Sequence, residues 1–342
     1  MAVNTYLKHV FDTGFAFQQS KILLSAIEFD LFTILGDKKM TGEEIRKKIN
    51  LHTRGIWDFL DALLSLGFLK RKGNGKEALY SNSEESKLYL DRKSSEYIGG
   101  ILELANSRLY RLWGDLTTAL KTGKPQNGIL DEGKAFYETI YSDQKLTEEF
   151  LNAMAGPSYQ NYQLLSRKFN FSNYNTLCDI GGATGLLSIC VTKEHDHIKC
   201  QSFDLSIVEP IAKKKIRYNG LEHRIKTIAG DFFMTPLPKA DIITMGMILH
   251  NWDLKTKMDL IKLAYDAIPE EGVFIVIENM IDDDRRKNCS GFLQSLNMLI
   301  EFGEAFDFTA EDLKGWCTEV GFKRYKIINL DGPFNAVASY KR

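Results

Sequence analysis

Two hydrophobic rhythms divide the chain. Up to about residue 165, apolar positions recur at three- and four-residue spacing, the pattern of amphipathic helices. Residues 15–35 (FAFQQSKILLSAIEFDLFTIL) and 53–69 (TRGIWDFLDALLSLGFL) carry it most clearly. In residues 40–51 (MTGEEIRKKINL), Thr41 stands before acidic residues, which predicts a capped helix start with charges suited to its dipole. The stretch LKRKGNGKEALYSNS then places Gly73, Asn74 and Gly75 between two short strand-like runs. Helix, helix and hairpin together predict a winged helix-turn-helix. Longer helical patterns follow over 94–123 and 146–169.

From about residue 175 the rhythm changes to strand, helix, strand. Strand candidates are 176–181 (TLCDIG), 199–205 (KCQSFDL), 224–233 (RIKTIAGDFF), 240–249 (ADIITMGMIL) and 272–280 (GVFIVIENM). Helical segments such as 254–268 lie between them. Near-continuous apolar strands alternating with helices predict a parallel sheet covered on both faces. RYKIINL and FNAVASYKR at the end read as a strand hairpin.

Composition narrows the classes. The chain has 342 residues, a formal net charge of -1 and 44% apolar residues. No global field draws it to nucleic acid or anionic lipid. There is no signal-like N-terminal core and no apolar run of about 18 residues, so the expected compartment is the cytoplasm. Five cysteines without a CxxC pair read as reduced thiols. Residues 1–100 hold 15 Lys+Arg against 13 Asp+Glu. With Asp58, Asp61, Ile56, Trp57, Phe59 and Leu60 around Arg54, the second helix reads as a packing element rather than a DNA reader. DNA regulation is the rival reading.

The chemistry gathers at strand ends. TLCDIGGATG puts Gly181, Gly182 and Gly185 directly after the first strand of the second half, where a backbone turns sharply and approaches a ligand. The dinucleotide fingerprint would need glycine at 183 and 186, which are Ala183 and Leu186, and no P-loop lysine follows. Asp204 ends the next strand and suits a ribose diol. Gly230, Asp231 and Phe232 end the third, with an acid for an exocyclic amine and a ring to cover a base. The set suits adenosine without phosphates. Among six histidines, only His250 follows an apolar run and precedes an aromatic, in GMILHNWD. The metal-like spelling His195-Asp196-His197 reads as incidental, and no metal-ligand cluster stands out.

DIGGATG, FDL, GDFF, ILHNWD, Glu278 and the Asn297-Met298-Leu299 segment resemble the class I S-adenosylmethionine-dependent small-molecule O-methyltransferases of the caffeate, hydroxyindole and bacterial polyketide type. The resemblance spans nearly the whole chain. It implies an α/β, Rossmann-like domain with a mostly parallel seven-stranded sheet and a terminal antiparallel hairpin. A mainly helical winged-helix dimerisation domain would precede it. The expected divisions are 1–100 for dimerisation, 101–170 for a helical linker contributing to the substrate pocket, and 171–342 for catalysis.

The resemblance also implies roles. Asp179, Gly181, Gly182, Gly185, Asp204, Leu205, Gly230, Asp231, Phe232 and Gly246 would line S-adenosylmethionine and its product S-adenosylhomocysteine. His250 would be the general base, flanked by Glu278 and Asp307. Phe150, Met154, Tyr159, Trp252, Asn297 and Met298 would wall a pocket for a small aromatic acceptor. No metal, nucleic acid or membrane is implied, and the partner is a second copy of the chain. Three positions depart from the pattern. Ala183 replaces a glycine, Gly246 stands where plant members carry a lysine, and Asn251 stands where an aspartate often follows the histidine. Nitrogen or carbon acceptors, and binding without transfer, remain alternatives.

Overall fold

In a computed structural model of the chain, residues 2–127 and 140–342 are described. They form two compact units, Met1–Arg111 and Leu112–Arg342.

The first unit is helical with a small sheet. The pattern over 15–35 forms two helices rather than one, Ala16–Glu28 and Leu31–Leu35. Asp30 breaks it at φ 53, a left-handed conformation that Asp tolerates better than most residues. Thr41 caps helix Gly42–Lys48 in a reciprocal capping box with Glu44. Strands β1 (Met40–Thr41), β2 (Leu69–Lys72) and β3 (Leu79–Asn82) form an antiparallel sheet in the order β1-β3-β2. Helix Ile56–Ser65 buries Ile56, Leu60 and Leu63. Just ahead of it, Arg54 is neutralised by Asp58 at 2.7 Å on the exposed side. At the N-terminus, helix Ala2–Gly14 leaves Tyr6, Leu7, Val10 and Phe11 exposed.

The second unit is built on seven strands, β4 (Thr176–Ile180), β5 (Lys199–Asp204), β6 (Ile225–Ala229), β7 (Ile242–Gly246), β8 (Val273–Asn279), β9 (Arg324–Asn329) and β10 (Phe334–Tyr340). Their order is β6-β5-β4-β7-β8-β10-β9, parallel from β6 to β8 and antiparallel in the terminal hairpin. Alternation along each strand feeds two separate cores. Phe274 and Val276 of β8 join Leu260, Ile261, Ala264, Leu313 and Cys317 on one face. Val273, Ile275 and Ile277 join Leu187, Val191, Ala212 and Ile216 on the other. Successive side chains point to opposite faces, so a strand covered on both sides must be apolar throughout. This is why β8 reads as an unbroken run.

Two strands are shorter than their patterns predict. The run 224–233 is strand only to Ala229, because Asp231 opens a turn by accepting from the Phe233 N–H at 2.9 Å. The run 240–249 ends at Gly246. Met247 takes φ 56, its N–H makes the last bond to Ile277, and Leu249–Asn251 coil into one 3₁₀ turn. His250 therefore lies on a turn beyond the strand rather than on the strand. The sheet order reverses between β4 and β7, which opens a crevice over the carboxyl ends of these strands.

Candidate functional site

The β4 end of the crevice is shaped by backbone. Gly181 has φ +68, and a Cβ there would come within 2.3 Å of Ile248. A Cβ at Gly182 would come within 2.3 Å of Ser202 Oγ. The left-handed backbone favours glycine at 181, and at both positions an added side chain would have to displace a neighbouring one. Gly185 begins helix Leu186–Glu194. Ala183, where the resemblance expects glycine, takes φ 49, so a small side chain is held in a left-handed conformation.

Carboxylates stand beside this turn. Asp204 Oδ2 accepts from the Ala183 N–H at 2.8 Å and Oδ1 from the Leu205 N–H at 2.7 Å. Burial pushes its pKa up to about 6, against the pull of those two bonds. Asp179 is buried and accepts from the Thr244 hydroxyl at 2.7 Å. Burial pushes it up to about 7, with Thr244 opposing and Asp204 adding to the rise. A carboxylate offers about four acceptor positions, so both retain capacity for a ligand's donors. A cation nearby would draw both back toward ionisation.

Gly230 lies directly beyond β6 because a Cβ there would strike the ring of Phe203 at 2.5 Å. Phe232, Phe233 and Trp252 form an edge-on aromatic group, with centroids 4.6 Å, 4.9 Å and 6.1 Å apart. Trp252 is thus placed with Phe232 and Phe233. Its Nε1 is buried without a hydrogen-bond partner among the described residues.

On the β7–β8 side three titratable side chains converge. His250, Glu278 and Asp307 each bring one nitrogen or oxygen within 4.8 Å of the other two. His250 Nδ1 lies 3.5 Å from Asp307 Oδ1, an ion-pair separation longer than a good hydrogen bond. The His250 backbone N–H donates to Glu278 Oε1 at 3.4 Å. Glu278 Oε2 and both Asp307 oxygens are buried without hydrogen-bond partners among the described residues. Burial by itself would lower the His250 pKa, but Glu278 and Asp307 overcome it and push the imidazole up to about 9. Burial, with Asp307 adding to it and His250 opposing, pushes Glu278 up to about 7. Asn251 donates to the carbonyls of Met247 and Ile248, capping the turn.

The expected pocket walls divide. Phe150 and Met298 pack with Phe302 and Ala305. Phe150 also packs against the cluster of Leu151, Val208 and Ile211, which Leu205 and Ala183 join from the Asp204 side. Asn297 is held at both ends, accepting from Trp113 Nε1 at 3.1 Å and donating to Glu301 Oε1 at 3.0 Å. Met154 is half-buried, and its carbonyl accepts from Ser158. Tyr159 is 40% exposed and its hydroxyl accepts from Gln163.

Three residues are missing from the sequence reading. Tyr162, not Tyr159, is the inward tyrosine of helix Gln144–Lys168, with its hydroxyl 2.6 Å from where a Gly246 Cβ would lie. Thr244 holds Asp179. Lys257 is fully buried beside the His250 cluster. Lys257, Leu260, Ile261 and Ala264 share one helical stripe, so a lysine on an apolar face was the available signal. His195 and His197 each face a backbone carbonyl, of Ser166 and Phe171, which gives the metal-like spelling a structural role.

The chain is similar to known methyltransferases over most of its length. Residues 113–323 match the O-methyltransferase domain, and residues 11–92 match the O-methyltransferase dimerisation domain. The tetracenomycin polyketide synthesis 8-O-methyl transferase of Streptomyces glaucescens is 35% identical over 93% of this chain and 92% of its own. An N,N-dimethyltransferase of Streptomyces rimosus is 31% identical over 94% and 93%. The structure of human N-acetylserotonin methyltransferase in complex with S-adenosylmethionine overlays with a TM-score of 0.90, at 26% identity, covering 98% of this chain and 97% of that one.

Proposed function

The chain belongs to the O-methyltransferase family and is an S-adenosylmethionine-dependent methyltransferase, and from that premise we propose that it methylates a phenolic hydroxyl of a small aromatic metabolite with His250 as general base. The observation that carries this reading is the burial of His250 against two carboxylates, at the crevice where the sheet order reverses.

S-adenosylmethionine supplies, when bound, a methyl group on a positively charged sulfur. Gly181, Gly182 and Gly185 leave room for its methionine part, with Asp179 and Gly246 alongside. Asp204 has free acceptor capacity for the ribose and Leu205 lies beside it. Gly230, Asp231 and Phe232 frame the base, and Trp252 closes that side. Phe150, Met154, Met298 and the fixed amide of Asn297 supply a mostly apolar wall, suited to a planar ring.

A phenol is mostly protonated at neutral pH, so its oxygen becomes a strong nucleophile only as the proton leaves. Neutral His250 takes that proton. Glu278 and Asp307 then stabilise the imidazolium. The same carboxylates hold His250 protonated in the free chain, so activity rises with pH until the imidazole is neutral. A nearby cation lowers that pKa and extends the working range downward.

A second reading takes an amine acceptor. It is favoured by the unpartnered carboxylate oxygens of Glu278 and Asp307, which suit an ammonium as well as an imidazolium. The N,N-dimethyltransferase among the relatives points the same way. His250→Ala with a labelled methyl donor separates the two. Oxygen transfer predicts a loss of about 10²–10⁴-fold on phenols. Near-full activity on an amine would replace it.

The homodimer is part of the same proposal. Tyr6, Leu7, Val10 and Phe11 expose an apolar face that water does not favour, running into the start of the segment 11–92 matched by the dimerisation domain. Sedimentation at micromolar concentration is expected to show a dimer, and a monomer would remove the claim. No helix among the described residues is long and apolar enough to cross a membrane.

A further inference from the structure

Lys257 is the one fully buried lysine among the described residues, and the chemistry assigned above does not use it. It projects from helix Leu254–Ala267, on the stripe that packs into the core. Its ammonium donates to the carbonyl of Trp252 at 2.5 Å, two residues after His250. It also sits 3.3 Å from the ring centroid of Phe306 and 5.7 Å from that of Phe308, the two neighbours of Asp307. One cation therefore ties the turn that carries His250 to the segment that carries Asp307.

We propose that Lys257 is a positioning residue for the base, whose buried charge balances Glu278 and Asp307 so that His250 can reach its neutral form. The proposal rests on the reading of His250 as the base. Every group facing the ammonium enters the argument. Glu278 comes from β8, Asp307 from the segment before helix Ala310–Val320, Asp253 from the cap of its own helix, and His250 from the adjoining turn. Two carboxylates around one imidazole, with no other cation, would hold it protonated and useless as a base. A single ammonium cancels one of those charges.

The energetic setting supports a specific role. A buried lysine with one hydrogen bond is disfavoured against a methionine of similar length, which would pack on the same stripe. Burial draws the ammonium down to about 8, while Glu278, Asp307 and Asp253 resist. Its charge acts on His250 in the lowering direction. The ring of Phe306 faces the cation with its negative quadrupole, which keeps it charged without adding another acid.

The test is to titrate His250 directly by magnetic resonance in ring-labelled protein, assigned with His250→Gln. Three variants separate charge from shape. Lys257→Gln can still donate to the Trp252 carbonyl, Lys257→Met keeps only bulk, and Lys257→Arg keeps the charge. The expected result is a His250 midpoint higher by about one pH unit in the Gln and Met variants and near the native value in Arg. An unchanged midpoint in Gln and Met would overturn the proposal. If both uncharged variants fail to fold while Arg folds, the lysine is a structural clamp and the proposal also falls. The titration needs no acceptor. A raised midpoint in a protein that transfers nothing to phenols would leave the role of Lys257 standing and remove the hydroxyl reading instead.

Discussion

The two sides of the crevice are built differently. At the ends of β4, β5 and β6, shape comes from glycines and charge from carboxylates that hydrogen bonds already steady. Asp204 holds two backbone N–H groups and Asp179 holds a threonine hydroxyl. At the ends of β7 and β8, three ionisable side chains face one another with several atoms unpartnered. The first arrangement suits binding a fixed ligand, because its groups are set before the ligand arrives. The second suits moving a proton, because its charges are near balance and respond to each added charge.

Exchanging charges on each side should sharpen this contrast. The largest effect is expected on the base side. Asp307→Asn and Glu278→Gln should each lower turnover on a phenol by roughly 10–100-fold while leaving cofactor affinity nearly unchanged. Steady-state rates together with calorimetric titration of S-adenosylmethionine check both halves of that statement. A matching loss of affinity would erase the distinction between the two sides.

On the binding side, Asp204→Asn should weaken S-adenosylmethionine by about tenfold or more, as expected for losing charged acceptors. Turnover at saturating cofactor should fall far less. Equal falls in both would place Asp204 in the chemistry.

Stability gives a smaller effect of opposite sign. Asp179 has a raised pKa, so the folded chain binds its proton more tightly than the unfolded chain does. That contribution is present below the ordinary carboxylate range and is lost as pH rises through about 7. Asp179→Asn keeps an acceptor for Thr244 and removes the buried charge. At pH 8 the cofactor-free variant should be more stable, read from denaturant midpoints, and should bind cofactor more weakly. A less stable variant would mean that the charge is held more favourably than its burial implies.

The smallest effect couples the two sides. His250 is held protonated up to about 9 in the cofactor-free chain. A sulfonium placed in the crevice lowers that value, so binding at pH 8 should release up to roughly one proton per site. Calorimetry in buffers of different ionisation heat measures it. Proton uptake on binding would contradict the coupling.

The sequence showed the β4–β6 side of the crevice better than the β7–β8 side, for a physical reason. Gly181, Asp204 and Asp231 lie directly at the ends of their strands, so strand periodicity alone places them together. The parallel sheet and its closing hairpin were legible for the same cause. His250 was visible as an odd residue after an apolar run, but its turn was not, because nothing in the spelling marks Met247 for a left-handed conformation. Asp307 and Lys257 come from segments far apart in the chain, and only packing of the 306–308 segment on helix Leu254–Ala267 brings them together. Tyr159 and Tyr162 show the limit on helix Gln144–Lys168. The two tyrosines are three residues apart, and low amphipathic contrast left no way to tell which faces inward. The apolar spacing over 15–35 continues across Asp30 while the helical backbone does not, so one unbroken pattern covers two helices.

The most direct test of the central claim uses phenolic acceptors of graded acidity, methylated by the native chain and by His250→Ala under saturating cofactor. If His250 removes the proton, the variant should lose most activity on weakly acidic phenols and little on phenols already ionised at the assay pH. An equal loss across the series would contradict the account and leave His250 as a buried histidine that only shapes the crevice.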